Sequence, residues 1–152
     1  HIFKSARQRL ASTVTSNVKM SQQNTEIETK TIQKFVRKDK RDRYLTFISK
    51  LKTRNKFVTE LAHFSDFEPD YFDKITGDIR HIIQTRIKTI KNQTDCYVIS
   101  ENREIDGQRI DIKTVLDKTI GYGMGTILVF GDTDFIYFEG EESNDRLISR
   151  KK

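Results

Sequence analysis

Apolar residues are laid out along this chain in two different patterns. Through the first part they return every three or four positions: Ile32, Phe35 and Val36, then Tyr44, Phe47, Ile48 and Leu51, then Phe57, Val58, Leu61 and Ala62. Residues three and four apart share a helix face, so this spacing predicts two or three helices between about 30 and 64. Ser65-Asp66 offers a cap, Pro69 suits the first turn of a short helix, and Gly77 is expected to end it. Asp78 then caps a longer helix whose stripe is Ile79, Ile82, Ile83, Ile87 and Ile90, with Arg80, Arg86, Lys88 and Lys91 outside.

Beyond residue 94 the pattern changes. Cys96-Tyr97-Val98-Ile99 reads as a strand and residues 101–107 as a polar turn. Asp111 caps a helix facing inward through Ile112, Val115, Leu116 and Ile120, with Gly121 as its stop. Residues 127–130 and 135–138 are β-prone runs joined by Gly131-Asp132-Thr133-Asp134, a hairpin connection, and Arg146–Ser149 is expected as a short edge strand. The predicted fold is α+β, with four or five N-terminal helices packed on a small, mainly antiparallel C-terminal sheet of β-α-β-β order. Residues 1–29 are expected to form a flexible or non-native arm. Residues 30–152 then make one domain, basic and helical over 30–94, acidic over 95–150.

Composition narrows the class. A chain of 152 residues suits one core. No apolar run approaches the about 18–20 residues that cross a bilayer, so no membrane insertion is expected. The one cysteine, Cys96, has no partner for an internal disulfide, which points to a reducing compartment, the cytoplasm. Residues 1–20 carry Lys4, Arg7, Arg9 and Lys19 and no acid, a composition resembling the mature side of an organellar presequence, which makes an organellar matrix the alternative; Met20 is the competing start.

Charge supplies the main functional signal. Up to residue 94 there are twenty Lys and Arg against ten acids, and beyond it eight against twelve. Eleven of the cations fall within residues 30–56: Lys30, Lys34, Arg37, Lys38, Lys40, Arg41, Arg43, Lys50, Lys52, Arg54 and Lys56, against Asp39 and Asp42. Such a surface suits a phosphate backbone or an acidic protein. A chain rich in Lys, Ile and Thr with a single proline also reflects AT-rich coding, which raises lysine without any partner. The interleaved Phe35, Tyr44, Phe47 and Phe57 have helical spacing and are read as core, not as stacking platforms.

The rival reading is a metal-dependent nuclease or phosphodiesterase. Such chemistry needs converging carboxylates and often a lysine, for which Glu101, Asp106, Asp111 and Lys113 are the candidates. Asp111 is equally a helix cap, and the others are turn residues. Gly121-Tyr122-Gly123-Met124-Gly125 has the glycines of a phosphate loop but leaves a helix and enters a strand, the reverse of that motif, so it is read as a contact loop. His1, His63 and His81 are scattered without cysteine or histidine neighbours, so no metal site and no cofactor are assigned.

The C-terminal elements Cys96-Tyr97-Val98-Ile99-Ser100-Glu101, Asp106-Gly107, Gly123-Met124-Gly125-Thr126 and Tyr137-Phe138-Glu139-Gly140-Glu141 resemble a small group of uncharacterised bacterial proteins over about the last 55 residues. The resemblance implies no activity, and Phe130-Gly131-Asp132 stands where that group has a Cys and a Pro-Gly turn. The expected function is therefore a non-enzymatic binding or regulatory protein contacting nucleic acid or an acidic protein. The nuclease and a structural subunit of a larger assembly are the alternatives.

Overall fold

The computed structural model describes residues 24–91 and 93–150, so the expectations for the N-terminal arm up to residue 23 lie outside the described residues. Among the described residues five α-helices and six strands follow one another: α1 (24–35), α2 (Arg41–Ile48), α3 (Leu51–Val58), β1 (Phe72–Lys74), α4 (Ile79–Ile87), β2 (Asp95–Ser100), β3 (Arg109–Asp111), α5 (Ile112–Thr119), β4 (Thr126–Phe130), β5 (Phe135–Glu139) and β6 (Arg146–Ser149). Single 3-10 turns sit at Lys38–Lys40, Leu61–His63 and Pro69–Tyr71.

The strands form one antiparallel sheet in the order β1-β6-β5-β4-β2-β3. Both faces are covered, which explains why its central strands are continuously apolar. Tyr97, Ile99, Ile127, Val129, Ile136 and Phe138 point toward α1–α3, while Cys96, Val98, Leu128, Phe130, Phe135 and Tyr137 point toward α4 and α5. Alternate residues of a strand face opposite ways, so a helix layer on each face demands apolar residues at every position. Phe57 and Leu61 are fully buried in the first layer, and each such burial stabilises by about 1.5–3 kcal/mol.

The α+β class and the antiparallel sheet agree with the sequence pattern, but the arrangement differs in four respects. The helices do not all pack on one face, because the stripe of α4 joins α5 on the opposite side. Arg146–Ser149 is not an edge: β6 lies between β5 and β1, with Ile148 and Ser149 buried. The stretch after Pro69 makes one 3-10 turn and then becomes β1, its Phe72 buried and its Asp73 and Lys74 exposed, because pairing with β6 outweighs local helix propensity. Residues 109–111 form a further edge strand ahead of the Asp111 cap. In addition, residues 24–29, expected in the arm, are helical and bury Ile27 and Glu28. Among the described residues no helix is long and apolar enough to cross a membrane.

Candidate functional site

The predicted cations divide into two sets. Lys30 pairs with Asp132, Lys34 donates to the Thr133 carbonyl, Arg37 pairs with Asp39, Arg41 donates to the Val36 carbonyl, and Arg43 pairs with Glu60. Lys30 and Lys34 hold α1 to the β4–β5 turn, Arg41 ties the start of α2 to the residue after α1, and Arg43 ties α2 to the segment after α3. Lys38, Lys40, Lys50, Lys52 and Lys56 have no carboxylate partner among the described residues, although Lys56 lies 5.8 Å from the centroid of the half-buried Phe47 ring. Phe35, Tyr44 and Phe57 are core, as their spacing predicts.

Arg54 belongs to neither set. Its Nε and Nη2 donate to Glu28 and its Nη1 and Nη2 to Asp106, at 2.7–3.0 Å. Glu28, only 1% exposed, also accepts the Tyr97 hydroxyl at 2.5 Å, and Asp106 accepts the Ser100 backbone N–H at 3.0 Å. A carboxylate this deep requires such saturation, since an unpaired buried charge is strongly destabilising. Burial lowers the tendency of the Arg54 guanidinium to hold its proton, but the hydrogen bonds to Asp106 and Glu28 outweigh it and raise its pKa. Burial first, and then the Glu28 charge, raise that of the Tyr97 phenol.

This cluster is the inner wall of a cleft of about 670 Å³. Asn24 at the start of the described part of α1, Gln108 before β3, and Ile48, Ser49 and Leu51 at the hairpin turn complete it. Leu51 is 80% exposed at its mouth. A smaller hollow of about 430 Å³ lies by Phe35, Tyr71 and Phe135, but its cations are engaged, Lys34 with Thr133 and Arg150 with Asp73.

The nuclease candidates do not converge. Glu101 accepts the Gly125 N–H, Asp106 pairs with Arg54, and Asp111 accepts the Thr114 N–H at 3.0 Å as the cap of α5, while Lys113 is exposed on that helix. Bonds from the Thr114 side chain and then its backbone lower the Asp111 pKa, as expected of a cap. No group of three or more metal-ligating side chains gathers among the described residues.

The glycine loop is tied down from within. Gly121 and Gly123 donate their N–H groups to Glu139, at 3.1 and 3.3 Å, and both take positive φ. Gly125 lies so close to the Leu61–Ala62 backbone that a Cβ would sit 2.3 Å from the Ala62 nitrogen. Tyr122 is 60% exposed and Met124 half-buried, so the amides of Gly121, Gly123 and Gly125 serve buried or nearby carboxylates and the loop presents a tyrosine outward.

Sequence reasoning placed Arg54 and Asp106 in opposing readings and did not single out Glu28 or Tyr97. A signal was present: Glu28 stands four and seven residues before Ile32 and Phe35, on their helix face. No protein-family model, curated protein or solved structure matches the chain.

Proposed function

We propose that this is a non-enzymatic binding protein that holds the phosphate backbone of a nucleic acid on its α2–α3 hairpin. The observation supporting this reading is the division among the cations: Lys38, Lys40, Lys50, Lys52 and Lys56 carry no ion pair among the described residues, whereas their neighbours are engaged internally. The five flank or occupy two helices of eight residues each, and eight residues rise about 12 Å, a length over which one strand of a duplex presents three to four phosphates. Lysine is a mobile, strongly hydrated point charge, suited to binding that reads charge rather than planar geometry.

Fluorescence anisotropy with a short labelled oligonucleotide, titrated with salt, tests the reading. Affinity is expected to fall steeply with salt, and each lysine in contact with a phosphate contributes about 0.9 to the logarithmic slope. Replacing Lys50, Lys52 and Lys56 with Glu is expected to abolish that binding. Absence of salt-dependent binding, or unchanged affinity in the triple variant, overturns the nucleic-acid reading; retention of an acidic protein by the same lysines would move the function to a protein partner. Incubating RNA and DNA with Mg²⁺ or Mn²⁺ discriminates the nuclease alternative, since this proposal expects both to remain intact.

A further inference from the structure

We infer that the 670 Å³ cleft beside the hairpin turn receives an unpaired base of a single-stranded nucleic acid whose phosphates lie on the neighbouring lysines, an inference that rests on the hairpin reading above. Ser49 and Leu51 both line the cleft, and Lys50 stands between them with Lys52 next along the chain. The cleft and the lysine surface are thus two sides of one turn. Pockets of about 300–1,000 Å³ hold small organic ligands, so the cleft has room for a base and its sugar.

Its polarity is that of an acceptor. Glu28, Asp106 and the Arg54 that they share form the inner wall, and with two carboxylates to one guanidinium it disfavours a phosphate. The side-chain amides of Asn24 and Gln108 each spend one of two N–H groups on the Gly107 and Glu104 carbonyls, and their oxygens, Asn24 Oδ1 and Gln108 Oε1, receive no donor among the described residues. Groups of this kind match the exocyclic amino groups of adenine, cytosine and guanine, which uracil and thymine lack. Leu51, with most of its side chain in water, supplies an apolar surface for the face of a base. A nucleotide has the same division, amino edges on the base and negative charge on the backbone, that this turn presents as acceptors inside and lysines outside. In a duplex the base edges are paired and the bases stacked, so only an unpaired base can enter.

The experiment measures binding of the full chain to a labelled single strand, to the duplex of the same sequence and to the homopolymers, with adenosine monophosphate as competitor. The single strand is expected to bind at least about tenfold tighter than the duplex, with adenine or cytosine runs preferred over uracil or thymine runs. Leu51→Ala and Gln108→Ala, both at exposed positions, are expected to weaken single-strand binding about tenfold at an unchanged salt slope, while Lys50→Ala and Lys52→Ala reduce the slope. Circular dichroism checks that each variant is folded. Equal binding of strand and duplex, with both cleft variants normal, overturns the inference and leaves the lysine reading standing. No salt-dependent binding of either overturns both. Competition by the mononucleotide as strong, per nucleotide, as by the oligomer overturns the single-strand source in favour of a free nucleotide.

Discussion

Two glutamates, one on each side of the sheet, are each 1% exposed and each accept a tyrosine hydroxyl from a central strand and a bond from an arginine. Glu28 gathers Tyr97 and Arg54, and through Arg54 also Asp106, so that α1, α3, β2 and the β2–β3 connection meet at one guanidinium. Glu139 gathers Tyr137, Arg146 and the amides of Gly121 and Gly123, all from the C-terminal half. The same chemistry therefore does two jobs. On one face it fastens a helical layer to the sheet, and on the other it shapes a loop. The difference lies in redundancy: Glu28 and Asp106 depend on the same cation, whereas Glu139 retains three neutral donors if its arginine is removed.

That comparison ranks the expected effects. Arg54→Ala leaves Glu28 buried without a cation and is expected to cost about 3–5 kcal/mol in urea unfolding, against about 1–2 kcal/mol for Arg146→Ala. Equal losses would break the distinction. Gly125→Ala is next, at about 1–3 kcal/mol, because its Cβ would overlap the backbone of Leu61 and Ala62. Hydrogen exchange should then rise in residues 121–125 more than in α1.

Alkaline pH probes both glutamate sites together. Burial first, and then the adjacent glutamate, raise the pKa of Tyr97 and Tyr137 above the ordinary 10.0. The unfolded chain releases those protons near 10, so this contribution to stability is complete below that pH and is lost as pH rises. The urea midpoint is expected to decline between about pH 9 and 11, and less so in the Tyr97→Phe, Tyr137→Phe double variant. The smallest effect belongs to the hairpin surface: Lys50→Ala, Lys52→Ala and Lys56→Ala should each change stability by less than about 0.5 kcal/mol, which keeps their effect on binding interpretable.

What could be read beforehand was whatever is decided locally. Asp78 and Asp111 cap α4 and α5 through bonds three residues on, and the β4–β5 hairpin lies within one short turn. The strands β1 and β3 are three residues each and owe their existence to partners elsewhere in the chain, so no local pattern announced them. The start of α1 was missed because Glu28 and Thr31, polar by type, occupy its buried face. At the candidate site, both rival readings used true features of the sequence. Arg54 and Asp106, 52 positions apart, pair with each other and share that cation with Glu28, which only the fold reveals.

The pairing of β1 with β6 also bears on how the chain is made. Phe72 faces Ser149 across the ladder, so β1, made before the other described strands, waits for β6 before its edge is satisfied. Phe64, Phe67 and Phe72 form one aromatic group with Phe138, itself a late arrival. During synthesis the helical first half therefore exposes its aromatic face until nearly the whole sheet has emerged, an interval in which chaperones would find it most readily.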